Sequence, residues 1–88
     1  MQIDLLSTKQ LIYFVQIAEL GSLSKAAIVL GIAQPTLSRV IKAMELSLGV
    51  QLFYRTGRGL MLTEAGQEML NRGIPILEQL RHLRTDII

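Results

Sequence analysis

Hydrophobic positions recur at helical spacing in four stretches of the chain, and the period shortens once, between Val50 and Leu62. Ser7-Thr8-Lys9-Gln10 fits a capping box, with Leu6 and Leu11 as the ends of a hydrophobic staple. Leu11, Phe14, Val15 and Ala18 then give the apolar stripe of a first helix that Gly21 ends. Ser22 can cap a short second helix, Leu23 to Leu30, whose Ala26 and Ala27 let another helix approach closely and which Gly31 ends. In a third stretch, Ala33 to Gly49, Pro35 marks the first turn and biases Gln34 toward an extended conformation, while Gly49 supplies the stop. Leu37, Val40, Ile41, Met44 and Leu48 share one face of that helix and are expected to be buried.

Val50–Tyr54 and Leu60–Leu62 read as two short strands separated by the turn Arg55-Thr56-Gly57-Arg58-Gly59. A hairpin of two strands is unstable alone, so Leu52, Phe53 and Leu62 are expected to dock it on the helices. Thr63 caps a last helix with Glu64 in its first turn, favourable to the helix dipole. Met69, Ile76, Leu80, Leu83 and Ile87 form a heptad-like seam on it, without an evident partner inside the chain. Gly73 has low helix propensity and Pro75 cannot donate to the carbonyl of Asn71, which predicts a kink or break between Asn71 and Pro75.

Only Gly31, Ile32 and Ala33 separate the second helix from Gln34, the short glycine-containing turn that a helix-turn-helix needs. Ala26, Leu30, Ile32, Leu37 and Val40 fall where that motif places a small residue, a packing leucine, a buried turn residue and two core residues. The second helix of such a motif presents its N-terminal end to bases. Here that end carries Gln34, Thr36, Ser38 and Arg39, with Lys42 a turn further on. The competing readings are a generic helical hairpin with a solvated polar face and a solvated basic turn.

Charge sharpens the choice. The net charge is only +2, but Gln34 to Arg58 holds Arg39, Lys42, Arg55 and Arg58 against one acid, Glu45. Two arginines in a hairpin turn suit phosphates or a narrow minor groove. With no cysteine, disulfide, iron-sulfur and zinc-finger frameworks are excluded, and neither a metal site nor a cofactor is expected. His82 is the single histidine, between Arg81 and Leu83 on the last helix, so no catalytic residues and no enzyme are expected. No apolar run is long enough to span a bilayer, and Asp4 counts against a signal peptide; a soluble cytoplasmic protein is expected, with no membrane partner. At 88 residues the core is small, and stability should lean on self-association.

The run Gly21 to Gly66, with QPTLSR, LGVQLFYR and LTEAG, resembles the N-terminal DNA-binding domain of LysR-type transcriptional regulators of bacteria. The resemblance implies a mainly α, winged helix-turn-helix fold of three helices and a two-stranded wing, followed by a long linker helix through which two subunits pair. It implies DNA-facing roles for Gln34, Pro35, Thr36, Ser38 and Arg39 on the recognition helix and for Arg55 and Arg58 on the wing. Thr56 lies between those wing arginines. Ala33 departs from the Ser or Thr usual before the Gln-Pro pair, so a side-chain cap worth about 1 kcal/mol is expected to be missing. Nothing corresponds to the family's effector-sensing domain, and the chain is expected to be a fragment ending in the linker helix.

The expected organisation is therefore a winged helix-turn-helix over residues 1–62 and a linker and dimerisation helix over 63–88. The expected partners are double-stranded operator DNA and a second copy held through Met69, Ile76, Leu80 and Leu83, with a tetramer conceivable for the full-length regulator and a small-molecule effector acting only through the absent domain. A pure dimerisation module is the competing function, but it would have no use for Arg39, Arg55 and Arg58.

Overall fold

A computed structural model describes residues 6–88. The order is α1 (Thr8–Leu20), α2 (Leu23–Leu30), α3 (Gln34–Leu48), β1 (Phe53–Thr56), β2 (Gly59–Leu62) and α4 (Glu64–Ile87). Asp4 lies outside the described residues.

The helix ends follow from local chemistry. Ser7 Oγ accepts from the Gln10 N–H at 3.0 Å and Gln10 Oε1 accepts from the Ser7 N–H at 3.1 Å, so the capping box is complete. Gly21, Gly31 and Gly49 close α1, α2 and α3 with φ of 66°, 69° and 74°, a left-handed conformation costly for other residues. Ala33 makes no side-chain cap, as its methyl requires.

The helix α1 is the hub, packed against α2, α3 and α4. Phe14, Ile17, Leu37, Met44 and Leu52 are fully buried, and the Phe14 and Phe53 rings meet at 5.2 Å between centroids. Ile17 lies outside the stripe read from the sequence, because α1 is apolar at so many successive positions that its buried face cannot be picked out by period alone. Leu37, Ile41 and Met44 are buried on α3 and Val40 is half-buried. Leu48 is not: it is 43% exposed, since the last turn of α3 overhangs the core.

The hairpin is antiparallel with Phe53 opposite Leu62 and Thr56 opposite Gly59. It corrects the expectation in two ways. The first strand begins at Phe53 and not at Val50, because the segment before it spends its backbone groups elsewhere: Glu45 takes the Leu52 and Phe53 N–H groups, and Thr63 N–H bonds the Leu52 carbonyl at 3.0 Å. The turn is also tighter than expected, so that Arg55 and Thr56 belong to β1 and only Gly57 and Arg58 form the tip. Leu52 and Phe53 are buried and Leu62 packs on the core, docking the wing.

Of the kink or break expected in the last helix, the break is absent, for α4 is continuous from Glu64 to Ile87 with Pro75 inside. Packing explains it: Leu70 and Leu77 rest on the core on either side of the proline, and Gly73 is buried against Leu11, which holds the helix where one hydrogen bond is lost. The face that includes Gly66, Leu70, Gly73 and Leu77 turns inward, with Gly66 against Leu52 and Leu62 and Gly73 against Leu11 of α1. Ile76, Leu80, Leu83 and Ile87 lie roughly 80° around from it at about 100° per residue, and all four are exposed. Met69 departs from the seam reading: it is half-buried on the molecule's own core and lines, with Leu6, Leu11, Gly73 and Ile76, an open groove of about 270 Å³.

Candidate nucleic-acid interface

The exposed start of α3 carries Gln34, Pro35 and Thr36, with Arg39 one turn on, Lys42 beyond it and Ser38 half-buried toward the wing. Arg39 Nη2 donates to Thr36 Oγ1 at 3.3 Å, a weak bond that lays the guanidinium along the helix toward its N-terminus. Thr56 Oγ1 accepts from the Arg58 N–H at 3.0 Å and donates to the Gly59 carbonyl at 3.3 Å, which closes the tip and leaves the Arg58 side chain exposed.

The helix α3 and the wing face each other across an open cleft of about 330 Å³ lined by Ser38, Lys42, Glu45, Tyr54 and Arg55. Arg55 also reaches a second recess, of about 340 Å³, with Ser22, Ser24, Lys25, Gln34 and Gly59. That recess joins the start of α2 to the surface, and Lys25 and Ser24 were missed by sequence reasoning. The signal was available in Ser22-Leu23-Ser24-Lys25, but the capping role of Ser22, whose Oγ accepts from Lys25 N–H at 3.1 Å, absorbed it.

Among the described residues the ion pairs lie on α4: Arg72 with Glu68 at 3.0 Å, and Arg81 with Glu78 at 2.6 Å, with His82 3.9 Å from the same carboxylate. The Arg81 hydrogen bond and charge hold the Glu78 carboxyl below its ordinary range. Arg39, Lys42, Arg55 and Arg58 have no acid within pairing distance among the described residues, so their charge is not neutralised internally. His82 and Glu78 are on the surface, remote in sequence from this interface. The seam residues stand apart from it, on the far part of α4.

Fold and surface define a winged helix-turn-helix domain in which the second helix of the motif and the wing share one basic face. The family profile described as bacterial regulatory helix-turn-helix protein, lysR family, matches residues 8–67. The chain belongs to that family. The HTH-type transcriptional regulator CrgA of Neisseria meningitidis serogroup C (strain 8013) is 39% identical over 82 residues, 93% of this chain and 27% of that protein. The chain thus spans about a quarter of the length of the curated relatives it matches. Among solved structures, the complex of BenM_DBD with catB site 1 DNA superposes with a TM-score of 0.90 at 35% identity, covering 93% of this chain and 91% of that one. Full-length CbnR complexed with target DNA gives a TM-score of 0.84 at 37% identity over 92% of this chain and 28% of that one. Among the described residues, no helix is long and apolar enough to cross a membrane.

Proposed function

We propose that this chain is the sequence-specific, double-stranded DNA-binding unit of a bacterial transcription regulator. In this reading α3 lies in the major groove, where Gln34, Thr36, Ser38 and Arg39 meet base edges and phosphates, and Lys42 meets the backbone. Arg55, Thr56 and Arg58 reach the adjoining backbone and minor groove. The observation that carries it is a set of four cations on α3 and the neighbouring wing, with no acid within pairing distance among the described residues. A surface that only needed solubility would mix both signs, as α4 does. Solved complexes of BenM_DBD and of full-length CbnR with DNA, which this chain resembles, support DNA binding.

Residues 1–62 act as the DNA-binding unit and 63–88 as the linker that pairs two copies through Ile76, Leu80 and Leu83, with Met69 at its inner edge. In this reading a tetramer and a small-molecule effector belong to the full-length regulator. The chain works in the cytoplasm, where bacterial DNA lies, and has no enzymatic role. Selection from a random-sequence duplex library tests the reading. A partly palindromic site with A/T-rich flanks should emerge, and recovery of no sequence above the starting library would refute it.

A further inference from the structure

Glu45 is the one acid between Gln34 and Arg58, and an acid there opposes the attraction of phosphate. Its carboxylate is spent on the backbone. Oε2 accepts from the Leu52 N–H at 2.7 Å and from the Phe53 N–H at 3.3 Å, on a half-buried site at the junction of α3 and the wing. The same short segment is held from the other side by α4's cap: the Thr63 hydroxyl donates to the Gln51 carbonyl at 2.6 Å, and the Thr63 N–H donates to the Leu52 carbonyl at 3.0 Å. Arg55 follows Phe53 by two positions on the strand, so it points to the same face of the hairpin as Phe53. Lys42 and Arg39 precede Glu45 by three and six positions on the helix. Hydrogen bonds to an ionised acceptor are stronger than neutral ones. One carboxylate therefore ties the element that reads the major groove to the element that reaches the flank.

We propose that Glu45 is a positioning residue for DNA recognition, which sets the angle of the wing against the recognition helix so that both can engage one duplex. The inference rests on the DNA-binding reading above. It gives the acid a function that its charge alone would contradict, and it makes the distance between the helix contacts and the wing contacts a property of Glu45.

The test uses the full 88-residue chain, the duplex recovered from the random library, and the same duplex with its flanks changed to G/C. Glu45→Ala leaves two half-buried N–H groups without an acceptor and should weaken binding to the recovered duplex by about tenfold. It should also abolish discrimination between the two flanks. In a chain that already carries Arg55→Ala and Arg58→Ala, the same substitution should change binding by less than about twofold, because the wing then contributes nothing to lose.

Glu45→Gln keeps a carbonyl acceptor at the same reach and should retain flank discrimination. Glu45→Asp keeps the charge but withdraws it by one methylene and should lose discrimination, even where Glu45→Ala fails to fold. The opposite ranking, with Asp retaining discrimination and Gln losing it or simply binding all DNA more tightly, would mean that only the charge matters and would overturn the proposal. An equal loss from Glu45→Ala with and without the wing arginines would overturn it too. An unmutated chain that selects no duplex refutes the DNA-binding reading and this inference together; one that selects a duplex while the Glu45 pattern fails refutes this inference alone.

Discussion

In the proposed reading, Arg39 is the side chain that tests whether α3 reads sequence. It is exposed, unpaired by acid among the described residues, and drawn toward the helix start only by a 3.3 Å bond to the Thr36 hydroxyl, which a guanine or a phosphate can replace. Its planar fork suits two acceptors at once. Arg39→Ala should therefore weaken binding to the selected duplex by about 1 to 3 kcal/mol while changing random-duplex binding less. Equal loss on both, in a fluorescence-anisotropy titration, would make it a phosphate contact, and no loss on either would remove α3 from the major groove. Arg58 poses the complementary question. The tight turn puts it, and not Arg55, at the tip. Arg58→Ala should flatten the preference for an A/T-rich flank and lower the salt slope of log K by about 1. An unchanged slope would show that the tip never reaches DNA. Both arginines were legible in the sequence because a cation cluster is a property of residue types. Arg55's place within β1 was not, because hairpin register depends on hydrogen bonds that composition does not reveal.

Among the elements, the contact between α4 and the segment before β1 is the least forgiving. A Cβ placed on Gly66 would collide with the Leu52 carbonyl, a backbone group, and would crowd the Leu62 side chain. Gly66→Ala should destabilise the fold by about 2 kcal/mol or more, since a backbone carbonyl cannot move aside as a side chain can. Gly73→Ala meets only the movable end of Leu11, at 2.7 Å, and should cost less. Urea unfolding followed by circular dichroism ranks the two, and a Gly66 variant as stable as the unmutated chain would mean that α4 sits elsewhere. These pairings also explain what the sequence could and could not convey. Caps and stops were legible at Ser7, Gly21, Gly31 and Gly49 because each is a bond or a dihedral within a few residues. The start of β1 was misplaced because Val50 to Leu52 look like a strand by propensity, yet the N–H groups of Leu52 and Phe53 are claimed by Glu45 on another element. The break expected at Pro75 failed for the same kind of reason: a local penalty is outweighed by packing on α1 that no window of sequence contains.

At the scale of the molecule, the unresolved demand is the far half of α4. Ile76, Leu80, Leu83 and Ile87 are 52%, 42%, 58% and 77% exposed and fall on one side of a helix that projects from a small core. A stripe of this kind on a small domain marks an interface. The groove beside Met69 continues it inward, so a second α4 laid along the seam would meet Ile76 and the wall formed by Leu6 and Leu11. Pairing by a two-fold axis would display two recognition helices and two wings, which requires half-sites separated by about one helical turn or a multiple of it. The chain should accordingly sediment as a dimer at micromolar concentration. Leu80→Asp places a charge in the seam without touching α1, α2 or α3, so the helix content should stay nearly intact while the dimer dissociates. Binding to the palindromic duplex should then fall far more than binding to random duplex, because only the former needs both copies held in register. An unmutated chain that sediments as a monomer and still binds the palindrome undiminished would show that the pairing does not reside in this helix.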